Sequence, residues 1–241
     1  MRAAHGSIRG VLFDKDGTLI DFHRSWSPVI HNVVRGLTGG DAALTAALFA
    51  AGGFDPTTNR TAPATPLAVG TTVEIAEVWA PLLGETDFDG LVVRIDEAFR
   101  RDGPRCAVPI EGLEATLSHL ATRGCALGVA TSDSEAATHE VLRHLGLHAR
   151  FAFVCGYDTG HGIKPGPGMV LGFCAATGLP PAQIAVVGDN VHDLEMAHAA
   201  GAGLIIGVLS GTGDAETLGR LADVVLASVA ELPRLPAFAG G

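Results

Sequence analysis

The sequence predicts an α/β fold built on a parallel, doubly wound sheet, with one helical segment inserted into it. Three observations carry that prediction: short apolar runs that recur along the chain, helical patterns between them, and one long stretch where the alternation stops. The apolar runs fall at residues 10–14, 126–131, 151–157, 184–189 and 204–208. They are short and near-continuously apolar, which suits strands covered on both faces. The interruption is residues 21–108, which has no convincing strand pattern. A core of residues 1–20 and 109–241 with a helical insertion of 21–108 follows from this layout.

Taken in order, each helix has a physical signature. In the insertion, Ser27 and Pro28 form an N-cap and first-turn pair ahead of Val29, Ile30, Val33, Val34 and Leu37 at helical spacing. Asp41 opens a second helix through Leu44, Ala47 and Leu48, and a loop rich in Thr and Pro follows at 55–66. Thr71 and Glu74 have capping-box spacing ahead of Ile75, Val78, Trp79 and Leu82. A fourth helix carries Leu91, Val92, Ile95, Ala98 and Phe99 and ends near Gly103 and Pro104. In the core, 112–122 places Leu113, Leu117 and Leu120 on one face, and 134–145, 167–177 and 191–200 each run into a glycine (Gly146, Gly178, Gly201).

Composition narrows the function classes. A net charge of -10 disfavours nucleic acid and anionic membranes as partners. There is no 18-residue apolar run and no apolar leader, so no membrane span or signal peptide is expected. Cys106, Cys125, Cys155 and Cys174 form no CxxC pair and read as reduced thiols of a cytoplasmic protein. Gly201 and Gly203 lie between a helix and a strand and do not form a dinucleotide-binding loop.

In a parallel sheet, ligands gather at the carboxyl ends of the strands. The polar residues there are Asp14, Asp16, Thr131, Ser132, Asp158, Asp189 and Asn190. Two carboxylates at the end of a buried strand are expensive unless they hold a cation or do chemistry. Asp14 and Asp16, two apart, are expected to face one pocket while Lys15 points elsewhere and offers its backbone N–H. Gly17 permits the turn out of the strand. Asp158 and Asn190 suit helix caps as well as a site. His192 reads as an exposed first-turn histidine. His144 and His148 form no zinc pair, because Gly146 ends the helix between them.

Four motifs in order carry a resemblance. Asp14-Lys15-Asp16-Gly17-Thr18 resembles the DxDGT motif of the haloacid dehalogenase superfamily in its phosphatase form; the strand ending at Thr131 and Ser132 resembles the second motif. Lys164-Pro165-Gly166-Pro167 resembles the KPxP form of the third, and Gly188-Asp189 with Asp193 matches GDxxxD. The resemblance covers about residues 8–20 and 109–230 and implies a Rossmann-like three-layer core. It also identifies the inserted helices with a helical cap placed as in phosphoglycolate phosphatases. It implies a Mg²⁺-dependent phosphatase of a small phosphorylated metabolite. Asp14 is then the nucleophile, and Asp16 is the proton donor and acceptor. Thr131, Ser132 and Lys164 hold the phosphoryl oxygens. Asp14, Asp189 and the backbone carbonyl of Asp16 hold the metal, and Asp193 supports it through water or orients Lys164. Phe22, His23, Arg24 and Trp26 are expected to meet the leaving group, with Arg24 and Arg60 as candidates for a substrate carboxylate.

The residues also discriminate among the chemistries of that superfamily. Asp16 speaks against dehalogenation, which needs no proton donor there. Residues 21–108 contain no lysine, which speaks against Schiff-base phosphonate hydrolysis. A sugar-phosphate mutase and a non-catalytic phosphate-binding module remain as the alternatives.

Overall fold

A computed structural model describes residues 8–239. In chain order the elements are β1 (Gly10–Phe13), α1 (Phe22–Thr38), α2 (Ala42–Gly52), β2 (Phe54–Asp55), β3 (Arg60–Thr61), α3 (Pro66–Val69), α4 (Thr72–Leu83), α5 (Phe88–Cys106) and α6 (Leu113–Thr122). They continue with β4 (Ala126–Ala130), α7 (Glu135–His144), β5 (Phe153–Cys155), α8 (Gly168–Thr177), β6 (Ile184–Gly188), α9 (Val191–Ala200), β7 (Leu204–Val208), α10 (Ala215–Gly219) and β8 (Val224–Leu226). The chain divides into two compact units, one from His23 to Val108 and the other formed by the segments before and after it.

The flanking segments form a six-stranded, all-parallel sheet in the order β5-β4-β1-β6-β7-β8. Strand alternation sorts its residues into two cores. Val11 and Phe13 join Val129, Val187 and Ile206 on one face, covered by Leu113, Leu117 and Leu120 of α6 and Leu142 of α7. Leu12, Val186 and Ile205 point the other way, onto Met169, Val170 and Phe173 of α8 and Leu194 and Met196 of α9. β1 lies at the centre, with Phe13 level with Val129 on one side and Val187 on the other. That register brings the chain exits after β1, β4 and β6 to one edge of the sheet.

Five of the six strands stand where the apolar runs predict them. β8 was not foreseen: its apolar run, Val224–Leu226, is only three residues long and half-buried at the sheet edge. β5 is shorter than the expected 151–157, because Gly156 turns the chain out of the sheet against the start of α7. A Cβ on Gly156 would stand 2.3 Å from the Glu135 nitrogen.

The unit from His23 to Val108 is helical, with Trp79 fully buried at its centre and donating its indole N–H to the Leu48 carbonyl at 2.9 Å. Asp41 caps α2, and Thr71 and Glu74 form the expected capping box on α4. Three expectations are corrected. Ser27 and Pro28 do not begin a helix; α1 starts at Phe22 and runs through them. An interior proline costs about 3 kcal/mol, yet Val29, Ile30, Val33 and Val34 beyond it are all buried. At about 1.5–3 kcal/mol each, their burial outweighs the break, and Pro28 itself faces solvent. Residues 55–66 are not simply a loop. β2 and β3 form a two-residue antiparallel hairpin whose turn is organised by Asp55, which accepts from the Thr57 N–H and hydroxyl and the Thr58 hydroxyl. α3 follows it. α5 passes through Gly103 and Pro104 and ends at Cys106. Among the described residues no helix is long and apolar enough to cross a membrane.

The packing of β4, which leads to Thr131, relies on the absence of a side chain at Gly128. A Cβ there would lie 2.8 Å from the Phe173 ring and 3.0 Å from Leu12. Gly128→Ala is expected to destabilise the protein by about 1–3 kcal/mol, read as a lowered midpoint of urea unfolding.

Candidate active site

The site grows from the end of β1. The Asp14 N–H donates to the Val187 carbonyl at 2.8 Å, which extends the β1–β6 ladder by one residue and holds the Asp14 backbone. The chain then turns at once. The Lys15 carbonyl accepts from Leu19 at 2.9 Å and Ile20 at 3.0 Å, and Gly17 takes a positive φ of 84°. A side chain at Gly17 would strike the Asp189 carboxylate, so only glycine satisfies both the turn and the approach.

Asp14, Asp189 and Asp193 are buried together, each offering a carboxylate oxygen within 4.8 Å of the others. The Lys164 Nζ donates to Asp14 Oδ1 and Asp193 Oδ1, both at 2.6 Å. The ammonium is almost wholly enclosed. Asp193 sits in the first turn of α9, where its Oδ2 also accepts the Asn190 N–H at 3.1 Å. Asp189 follows β6, and its Oδ2 accepts from the Thr212 N–H at 2.8 Å and the Thr212 hydroxyl at 3.4 Å.

With every group ionised, three carboxylates face one ammonium, leaving two negative charges away from bulk water. The titration behaviour expresses this excess. Burial pushes the Asp14 carboxyl up to about 7, with Asp193 and Asp16 adding to the rise and Lys164 opposing it. Burial, then the charges of Asp14 and Asp193, hold Asp189 well above the usual carboxylate range. Burial works against the Lys164 charge, but Asp14 and Asp193 outweigh it and hold the ammonium above its ordinary value. Hard oxygen donors with a surplus of two negative charges fit a divalent cation. Asp14 and Asp189 are the better donors. Both Asp193 oxygens are already engaged, one by Lys164 and one by Asn190.

Thr131 ends the β4 run. Its backbone N–H donates to Cys155, and its hydroxyl oxygen accepts from the Asp133 N–H at 3.1 Å, which leaves the O–H to donate elsewhere. Ser132 beside it is exposed. Asp158 and Asn190 act as caps, accepting from the Glu135 N–H and the His192 N–H respectively. Arg24 is exposed on α1 and Arg60 is exposed on β3, both in the helical unit.

One expectation fails here. The Lys15 side chain does not point away from the motif. It is 1% exposed and its ammonium lies 2.6 Å from Asp16 and 3.3 Å from Asp133. The strand ends at Phe13, so strand alternation does not govern a residue already in the turn. Lys15 and Lys164 are the only lysines in the chain, and that rarity marks Lys15 as strongly as Lys164. Sequence reasoning also missed the turn after β7. Ser210 donates to the Gly17 carbonyl at 2.6 Å, and Gly211 lies so close to Asp189 that a Cβ would stand 1.9 Å from its carboxylate. The available signal is the run Ser210-Gly211-Thr212-Gly213, which starts two residues after the last residue of a buried strand.

The sequence and the fold are both similar to those of known proteins. The sequence model of the haloacid dehalogenase-like hydrolases matches residues 8–201. The chain is 31% identical over 194 residues to a phosphoglycolate phosphatase of Xylella fastidiosa, covering 80% of this chain and 77% of that one. It is 28% identical over 212 residues to the N-acetylmuramic acid 6-phosphate phosphatase of Pseudomonas putida, covering 80% of each. Its fold superposes on a haloacid dehalogenase-like family protein from Streptococcus pneumoniae with a TM-score of 0.68 at 19% identity, over 95% of this chain and 98% of that one.

A cation that binds this cluster will stabilise the folded chain. Thermal unfolding is expected to move up with added MgCl₂, by about 2.7 kcal/mol at a hundredfold excess over Kd, and to fall back with EDTA. Asp189→Asn removes one of the crowded charges. It should raise the melting temperature without metal and abolish most of the metal-dependent shift, both read by calorimetry.

Proposed function

Because this chain belongs to the haloacid dehalogenase-like hydrolases, we propose that it is a Mg²⁺-dependent phosphomonoesterase working through an aspartyl-phosphate on Asp14. The observation that carries the proposal is the buried cluster of Asp14, Asp189 and Asp193 around Lys164, with its surplus of negative charge. Asp14, Asp189 and the backbone carbonyl of Asp16 are the residues that would hold the metal. When bound, Mg²⁺ would neutralise charge between an anionic phosphoryl group and an anionic nucleophile.

The chain's own groups supply the rest. An Asp14 carboxylate oxygen attacks phosphorus as the ester P–O bond breaks, and Asp16 gives a proton to the departing alkoxide. Water then attacks the aspartyl-phosphate, Asp16 takes its proton, and phosphate leaves with Asp14 restored. The Lys164 ammonium lies against Asp14 and faces charge that develops on the phosphoryl oxygens. The Thr131 hydroxyl, already accepting from Asp133, keeps its proton for a phosphoryl oxygen, and the Ser132 N–H is a second donor. The bond from Asp193 to Lys164 supports an orienting role over a direct metal bond.

The substrate we infer is a small phosphomonoester that also bears a carboxylate. The phosphatases that resemble this chain are named for phosphoglycolate and N-acetylmuramic acid 6-phosphate, and both of those molecules carry one. Arg24 and Arg60 of the helical unit are our candidates for recognising it.

Phosphate release from a panel of phosphomonoesters, with Mg²⁺ and with EDTA, tests the reading. Metal-dependent release is expected, fastest for carboxylate-bearing esters. Asp14→Asn should lower kcat by about three orders of magnitude or more with an unchanged circular dichroism spectrum; turnover like the parent's removes Asp14 as nucleophile. Isomerised sugar phosphate with little free phosphate would instead identify a mutase. Arg24→Ala is expected to raise KM for the best carboxylate-bearing ester about tenfold with a smaller change in kcat, and an unaltered KM removes Arg24 from recognition.

A further inference from the structure

We propose that Lys15 is a positioning residue for Asp16, tying the side chain that carries the proton to the loop that carries Thr131. The inference rests on Asp16 being that proton carrier, as argued above.

Lys15 is one of only two lysines, and its side chain is as enclosed as that of Lys164. A buried ammonium is unfavourable unless it is paired. Here it has a short contact to Asp16 Oδ2 at 2.6 Å and a longer one to Asp133 Oδ2 at 3.3 Å. Its backbone is fixed as well, since the Lys15 carbonyl gathers the N–H groups of Leu19 and Ile20. The ammonium therefore projects from a rigid base.

Asp133 is equally well held. Its N–H donates to the Thr131 hydroxyl oxygen, its Oδ1 accepts from the Ser134 N–H at 2.7 Å, and its carbonyl accepts from the Tyr157 N–H at 3.0 Å. Lys15 thus bridges two loops that leave adjacent strands, β1 and β4. Asp16 stands at one end of the bridge and the Thr131 loop at the other. Asp16 is 22% exposed at the side chain and Asp133 is 31% exposed. The ammonium gives these two partly exposed carboxylates a common buried partner, and its removal loosens the hold on Asp16 and unlinks it from Asp133. With it, Asp16 is held at a set distance from the loop bearing a phosphoryl donor, which is what a proton transfer in line with P–O cleavage requires.

Loss of this bridge should affect proton transfer more than binding or attack. A leaving group that departs without protonation reports the attack alone, while an alkoxide needs Asp16. The experiment compares first-turnover rates, in Mg²⁺, for 4-nitrophenyl phosphate and a simple alkyl phosphate in the parent, Lys15→Met, Asp133→Asn and Asp16→Asn. Methionine keeps much of the volume of the lysine stem and removes its charge. The ratio of nitrophenyl to alkyl rates should rise about tenfold or more in Lys15→Met, with KM nearly constant, and more steeply in Asp16→Asn. Asp133→Asn keeps Lys15 and Asp16, and guards against a Lys15 variant that fails to fold; its ratio should rise in the same direction by a smaller factor. An equal loss on both esters in Lys15→Met, or an unchanged ratio in both the Lys15 and Asp133 variants, overturns the proposal. If Asp16→Asn itself leaves the ratio unchanged, the proton-carrier reading has failed instead, and the two failures are told apart.

Discussion

Everything at the candidate site depends on a shortage of positive charge. Asp14, Asp189 and Asp193 are brought out of water within a few ångströms of one another, and the protein supplies one ammonium, Lys164, to compensate them. Lys164 reaches only two of the three. Asp189 is left to the N–H and hydroxyl of Thr212, which are neutral donors. Such a cluster is a poor way to stabilise a fold, since buried ions lose more hydration than one partner restores. It is a good way to bind a cation or a cation with its anion. The unfavourable electrostatics of the folded chain and the reactivity assigned to it have the same source.

The fold makes that concentration of charge possible by register. With Phe13 level with Val129 and Val187, three consecutive chain exits emerge along one edge. Small residues then let the exits close on one another. Gly17 and Gly211 pack against the Asp189 carboxylate, where a single methyl group would displace it. The apolar layers on each face fix the strands, and so fix where the acids begin. The acids themselves contribute little to that arrangement.

Much of this was legible in the sequence, for physical reasons. A buried parallel strand must be apolar throughout, so five of the strands left an unmistakable run. The polar residues that follow those runs mark the candidate site, although two of them, Asp158 and Asn190, cap helices instead. What escaped notice was local in a different way. The edge strand at Val224–Leu226 and the hairpin at Phe54–Thr61 are too short and too half-buried to impose a period. Pro28 carries a strong local preference that the burial of Val29, Ile30, Val33 and Val34 overrides. The partners of Asp189 at Thr212 lie on a turn far along the chain, and no spacing rule connects them. Lys15 lies two residues past Phe13, the end of the strand, where strand alternation no longer sets a side chain's direction.

The placement of the two lysines has a consequence for how this protein meets its surroundings. All the exposed basic side chains that would ordinarily include lysine are arginine or histidine, while Lys15 and Lys164 are both enclosed. Amine-directed acylation, whether by a reagent or by a cellular acyl donor, usually maps a protein's outer surface. In this chain it has no lysine side chain to find there. The two that exist report instead on the opening of the site, so the extent of lysine acylation becomes a measure of how often the buried charge cluster is breached.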